Sequence, residues 1–360
     1  MLYFPRLLLA MFVVHLLEGI TWGDWIRLLR REGFRISPIC WPRVVWITTH
    51  SLANSAMARH VARTRDAEIE AARVEAPVFI LGHYRSGTTF LHELMATDPR
   101  FASPTRFQTF NPRTFLFSER WLAPLVEPFM LPRRVQEDEV ALMNLVQQSP
   151  YMDWCFPRSR VGYRRFSTLR GADPAEIAAW SDAFGYFLRS LTVRYRRPLI
   201  LKSPPHTGRI RYLLEAFPDA RFVHIRRDPY TVYRSMRSLL RDIRPVFRLQ
   251  TSAGEDDEEF VLSTYRDMYD AYFEDRALIP AGRQMEIAYE DLEADPIGQL
   301  RAVYRGLSLA DFEPIRPAVD AYLQSIRGYR KSRHEPLDDE LRRRIAGAWS
   351  RCFDEWGYPR

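Results

Sequence analysis

An α/β fold of the P-loop-like kind, three layers with a central parallel sheet flanked by helices, is what the sequence predicts, with a helical extension at its N-terminus. Three observations predict it. Residues 76–82 (APVFILG) form a strand-length apolar run closed by glycine, the pattern of a strand buried on both faces. Residues 198–204 (PLILKSP) and 220–228 (ARFVHIRRD) repeat that pattern. Between those two, residues 206–220 (HTGRIRYLLEAFPDA) place Ile210, Leu213, Leu214 and Phe217 at helical spacing. That is a β-α-β unit, and its right-handed crossover makes the strands parallel.

Taken in chain order, residues 1–75 read as a helical arm. The apolar run at 7–17 (LLLAMFVVHLL) is too short to span a bilayer, is interrupted by His15, and meets Glu18 without a small-residue cleavage site. Trp22 and Trp25 alternate with Arg27, Arg30 and Arg31, and a second apolar patch follows at 44–52 (VVWITTHSL). Such an arm either lies in a membrane interface, with Trp at headgroup level and Arg on anionic lipid, or packs on the catalytic core. Residues 76–360 form the expected catalytic domain, with an insertion at about 101–197 rich in Pro, Phe, Trp and Arg that shapes an acceptor pocket or fills core. The acidic run 255–259 (EDDEE) reads as a solvated loop or a helix start.

The composition narrows the class. With 360 residues, 46% of them apolar, the chain can bury a large core and is not a disordered tail. The net charge is +7, carried almost wholly by arginine, with lysine only at Lys202 and Lys331. Arginine grips oxyanions bidentately, so phosphate groups, anionic membranes or acidic substrates fit this surface; compositional bias of the genome accounts for it equally well. No nucleic-acid partner is expected. Cys40, Cys155 and Cys352 are odd in number and far apart, and no His or Cys spacing fits a metal site. A reducing compartment is expected, the cytoplasm, with the arm available to the inner face of a membrane, and no metal.

Residues 82–89 (GHYRSGTT) follow a strand and open a helix, the setting in which a glycine loop cradles phosphate. Gly82 and Gly87 stand at the spacing of G-x-x-x-x-G-K-[ST], but Thr88 occupies the lysine position. A P-loop kinase-like phosphotransferase, the alternative enzyme, needs that lysine and Mg²⁺. What remains is a ring of backbone N–H groups, the hydroxyls of Thr88 and Thr89, and the cation of Arg85. A membrane- or polyanion-binding protein with a decayed nucleotide site is the third possibility.

The loop YRSGTT resembles the 5'-phosphosulfate loop of sulfotransferases that use 3'-phosphoadenosine 5'-phosphosulfate, especially the tyrosylprotein type and its bacterial branch. The resemblance implies that Arg85, Ser86, Gly87, Thr88 and Thr89 hold the 5'-phosphate and the transferring sulfate. It also implies that Arg227 and Ser235, eight residues apart, bind the 3'-phosphate, with Arg226 as the competing arginine. Tyr289, in EIAYEDLEADP, matches the tyrosine near the adenine, and Lys331 reaches the nucleotide from a C-terminal loop. The likeness covers roughly residues 77–360, with the middle hundred matching only the bacterial branch; residues 1–75 gain no function from it. Retention of Arg85, Lys202, Arg227 and Ser235 together argues against a decayed site.

Sulfuryl transfer needs an in-line approach, charge stabilisation and help for the leaving phosphate. Lys202 occupies the family's lysine position and is expected at the bridging oxygen, with Arg85 as a second cation. The acceptor alcohol, on a lipid, a glycan or a small molecule, must give its proton to a base. Tyrosylprotein sulfotransferases supply a Glu shortly after the loop helix, but residues 102–108 here (ASPTRFQ) hold no carboxylate. His206, four residues after Lys202, is one candidate base, unless it caps a helix. Glu137 and Asp138, with Glu139, are the other, unless that trio is a solvated face. His92 on the loop helix reads as structural.

Overall fold

The computed structural model describes residues 15–126, 135–251, 257–328 and 335–360. In chain order the principal elements are α1 (Trp22–Arg31), α2 (Trp41–Ala71), β1 (Val78–Leu81), α3 (Thr88–Met95), α4 (Arg106–Phe110), α5 (Phe115–Val126), α6 (Glu139–Leu145) and α7 (Pro174–Tyr195). There follow β2 (Ile200–Lys202), α8 (Ile210–Ala216), β3 (Arg221–Arg226), α9 (Pro229–Phe247), α10 (Asp257–Asp275), β4 (Gln284–Ala288), α11 (Tyr289–Ala294), α12 (Pro296–Gly306), α13 (Arg316–Ser325), α14 (Asp339–Ala348) and α15 (Ser350–Trp356). The chain forms two compact units. One comprises Glu75–Ser103, Arg197–Arg241 and Asp256–Arg360; the other comprises Met1–Val74, Pro104–Arg196 and Asp242–Glu255.

The first unit is the three-layer α/β fold. Its four strands are all parallel, in the order β2-β1-β3-β4, with Val78 opposite both Ile200 and Arg221, and Phe222 opposite Gln284. Strand alternation divides the side chains between two faces. Val78, Ile80, Val223, Ile225 and Ile287 pack on Leu91 and Leu94 of α3, Leu292 of α11, Leu300 and Val303 of α12 and Val319 of α13. The intervening residues face the other way. Phe79 stacks on Phe222 and meets Phe217 just past α8, while His224 stacks on Tyr272 of α10 at 4.2 Å and tilts over Trp356 of α15.

Three of the four strands lie where the apolar runs predict them. β3 ends at Arg226, within the run 220–228, and no apolar run predicts β4. In the acidic run, Asp257, Glu258 and Glu259 form the first turn of α10, where carboxylates complement the helix N-terminus, and residues 255 and 256 lie outside the described ones.

The second unit is helical. It joins the segment expected as an arm to the segment expected as an insertion in one compact body. Trp25 of α1 is buried and its indole N–H donates to Thr48 of α2 at 2.9 Å. Asn54 of α2 donates to the carbonyls of Glu18 and Ile20 at 2.7 and 3.2 Å. Along α7, Trp180, Phe184, Phe187, Leu188 and Leu191 are buried, Phe115 meets Phe187 edge-on at 6.3 Å, and Phe107 and Phe110 are buried as well. These aromatics are buried, whereas Phe117 is exposed. Cys40, Cys155 and Cys352 are buried free thiols. Among the described residues no helix is long and apolar enough to cross a membrane; of the apolar run at 7–17, residues 7–14 lie outside them.

Candidate functional site

The loop between β1 and α3 is shaped by two glycines. Gly87 has φ +100 and caps α3; a Cβ there would fall 2.2 Å from Cδ2 of Tyr289. Gly82 has φ +147, and its Cβ would fall 2.6 Å from Ser86 Oγ and 2.7 Å from the Ile225 carbonyl. Neither position admits a side chain. The loop is also fastened from behind: the Gly82 N–H donates to Thr207 Oγ1 at 2.7 Å, and the His83 N–H to the Tyr269 hydroxyl at 3.2 Å. The His83 ring is wholly buried, and burial lowers its pKa to about 4 against the opposing hydrogen bond to the Tyr84 carbonyl.

Inside this frame the predicted donor residues converge. Arg85 Nε donates to Ser235 Oγ of α9 at 2.7 Å, and Arg227 Nη1 donates to the Arg85 carbonyl at 2.9 Å. The Arg227 guanidinium lies 4.0 Å from the centroid of the Tyr289 ring, whose edge approaches Gly87. Among the described residues Arg227 makes no ion pair. Arg226, by contrast, points elsewhere, with Nε 3.6 Å from Glu286 and its guanidinium over Tyr358. Lys202, at the end of β2 and 2% exposed, donates from Nζ to Thr89 Oγ1 at 3.3 Å.

The arrangement fits a phosphorylated, sulfated nucleotide. Ser86 Oγ is buried and has no hydrogen-bond partner among the described residues, a costly state for a hydroxyl unless an oxyanion accepts from it. Thr88 and Thr89 open α3, where N–H groups point outward and favour negative charge. The loop's hydroxyls, amides and Arg85 thus lie together with Lys202 at the end of β2 and Arg227 after β3.

The remaining candidates lie in different settings. His206 sits in the turn Pro204–Gly208, wholly buried, its ring edge-on to Phe79 at 5.3 Å. His92 is buried and bonds Ser103 at 3.1 Å, consistent with a structural role. In the helical unit, Glu137 is half-buried and its carboxylate accepts from the Tyr151 hydroxyl, while Asp138 and Glu139 are fully buried at the start of α6. The solvated-face reading of that trio is overturned, because the helix start carries two of its members inward. Lys331 lies outside the described residues. Sequence reasoning missed Thr207 and Tyr269, which hold the loop from behind; the position of Thr207 directly after His206 in PPHTG was the available signal.

Comparison with known proteins accords with this geometry. A family model described as the sulfotransferase family matches residues 77–314. Omega-hydroxy-beta-dihydromenaquinone-9 sulfotransferase Stf3 of Mycobacterium bovis is 36% identical over 356 residues, covering 95% of this chain and 91% of that protein. The protein of the same name from Mycobacterium tuberculosis is equally similar. Among solved structures, sulfotransferase STF9 of Mycobacterium avium superposes with a TM-score of 0.74 at 18% identity, over 95% of this chain and 97% of that one. STF1 of Mycobacterium tuberculosis gives 0.63 at 18%, over 90% of each. The two structures share the fold.

Proposed function

The chain belongs to the sulfotransferase family, and from that premise we propose that it moves a sulfuryl group from 3'-phosphoadenosine 5'-phosphosulfate onto the hydroxyl of a lipid alcohol. The observation that carries the donor half is the cluster of Arg85, Ser235, Arg227 and Tyr289 around a loop whose Ser86 hydroxyl is buried and unsatisfied among the described residues. When bound, the donor supplies the sulfuryl group and a phosphate leaving group. The chain supplies the rest.

Ser86, Gly87, Thr88 and Thr89 hold the 5'-phosphosulfate through amides and hydroxyls at the start of α3, and Arg85 adds charge beside them. Arg227 and Ser235 take the 3'-phosphate, and Tyr289 lies beside the base. Lys202 stabilises charge at the bridging oxygen as the sulfuryl group leaves, which is the task a metal performs in phosphoryl transfer. No metal is invoked. For the acceptor proton, Glu137 is the proposed base: it keeps partial exposure, whereas His206 and Asp138 are fully buried.

The acceptor class rests on likeness. The relative that shares 36% identity over 95% of this chain is named for a hydroxylated dihydromenaquinone. A lipid alcohol of that kind suits peripheral contact with the inner face of a membrane through residues 1–75, where Trp41, Val45 and Leu52 are exposed on one face of α2.

Two measurements test the proposal. Titration with 3'-phosphoadenosine 5'-phosphate without metal is expected to show binding tighter than ATP with Mg²⁺; the reverse preference would sink the donor assignment. Incubation with ³⁵S-labelled donor and either a hydroxylated menaquinone, an oligosaccharide or a short alcohol is expected to label the first. Label confined to the sugar or the short alcohol would discard the lipid acceptor while leaving the donor site standing.

A further inference from the structure

The helix α5 (Phe115–Val126) turns an apolar face outward. Phe117, Trp121, Leu122 and Leu125 are 38%, 61%, 39% and 65% exposed, while Ser118 is among the buried residues. Arg120 is the one charged side chain on the exposed face. Helices that end their amphipathic pattern in water carry polar residues on that side, so the face of α5 is inverted relative to a solvated helix.

The charge around it is mixed, with arginine in excess. Beside α5 lies a cavity of about 480 Å³ lined by His60 and Arg65 of α2, Phe117, Glu119 and Arg120 of α5, and Arg194 of α7. Glu119 is the one carboxylate in that lining, and it is already taken, accepting from Arg194 and Gln108 at 2.7 Å each. Arg65 pairs with Glu68. Arg120 forms no ion pair among the described residues and stacks instead over Trp121, 4.5 Å from its centroid. A tryptophan and an arginine stacked beside exposed leucines match the headgroup level of an anionic bilayer. There the ring is half-buried, the leucines enter the acyl boundary, and the guanidinium meets phosphate.

We propose that α5 is a membrane-docking helix for anionic bilayers, and that the adjoining basic cavity receives a lipid phosphate headgroup at Arg120 and His60. The proposal uses a different face from the Trp41, Val45 and Leu52 contact assigned above, though His60 and Arg65 belong to the same helix α2, and it stands whatever the acceptor is.

The test is co-sedimentation of the full chain with vesicles of phosphatidylcholine alone and of phosphatidylcholine mixed with phosphatidylglycerol. The wild type is expected to prefer the anionic vesicles. Trp121→Glu with Leu125→Glu should lower the bound fraction at least about fivefold, because it removes two inserting side chains and adds two like charges. Arg120→Gln should remove most of the preference for phosphatidylglycerol. Both should leave binding of 3'-phosphoadenosine 5'-phosphate unchanged, which verifies the fold; should the double variant fail that check, Arg120→Gln and Trp121→Ala carry the test. Equal sedimentation of wild type and variants overturns the proposal. So does loss of binding only in Trp41→Glu with Val45→Glu, which would place the contact on α2. A dimer in light scattering that the α5 variants dissociate, with vesicle binding unchanged, would assign the face to a second copy instead.

Discussion

Arg85 Nε donates to Ser235 Oγ at 2.7 Å, joining the phosphate loop to α9 across 150 residues of sequence. The sequence assigns these two side chains to opposite ends of the nucleotide, yet the fold puts them in contact. Ser235 therefore acts on the position of Arg85 as well as offering its own hydroxyl. Removing either should be felt by both. Ser235→Ala and Arg85→Ala are each expected to weaken 3'-phosphoadenosine 5'-phosphate by calorimetry, and the double variant should lose less than the sum, with a coupling of about 1 kcal/mol. Strictly additive losses would mean that the pair does not survive nucleotide binding.

Arg227 forms no ion pair among the described residues that would hold its charge in the absence of ligand. Arg227→Ala is expected to weaken the same nucleotide by more than about tenfold, since a charge-assisted hydrogen bond typically contributes about 1.5 to 3 kcal/mol. Arg226→Ala, which disturbs Glu286 instead, should change affinity by far less. Equal effects from the two would remove the 3'-phosphate assignment.

Lys202 is expected to act on the transition state more than on binding. Lys202→Met keeps the length of the side chain and deletes the cation, so kcat should fall by about 10²- to 10³-fold while nucleotide affinity shifts only a few-fold. A parallel loss of affinity would make Lys202 a binding group.

The proton acceptor can be separated by pH. With Glu137 as base, Glu137→Gln should abolish the acidic limb of the rate profile and leave nucleotide affinity intact, and His206→Gln should lower stability without moving that limb. Removal of the limb by His206→Gln alone would transfer the role to the histidine.

Stability should fall as pH falls, through His83. Its native pKa of about 4 lies below the unfolded value of 6.5, so the native ring is neutral where the unfolded one takes up a proton. The contribution is fully present above pH 6.5 and declines as pH falls toward 4, by about 3 kcal/mol in all. His15, lowered by burial to about 4, adds in the same direction; Glu18, raised by burial to about 7, loses stability as pH rises from 4.5 to 7. The difference between wild type and His83→Asn in urea midpoints at successive pH values isolates the contribution of this ring. Parallel curves would show that the native His83 ring takes up its proton over the same pH range as the unfolded one.

The donor half was legible because its chemistry is local. β1 and β2 are buried throughout and β3 is buried from Phe222 to Ile225, and Arg85, Lys202 and Arg227 follow at or near strand ends. β4 was hidden because it is an edge strand: of Gln284, Met285, Glu286, Ile287 and Ala288 only the last two are buried, so no apolar run announces it. The acidic trio misled for the opposite reason, since three consecutive charges suggest water and give no hint of the helix start that takes Asp138 and Glu139 inside. The helical unit was legible as helix but not as one body, because its cohesion comes from contacts distant in sequence, such as Asn144 Nδ2 to the Leu16 carbonyl.

The approach of Tyr289 to Gly87 reaches beyond binding. With no room for a methyl group between them, the two codons are free to change only in concert: a side chain gained at one position must be met by bulk surrendered at the other. In related genes the two sites should be inherited as a pair, and a relative that has lost the glycine should be found to have lost the aromatic ring as well.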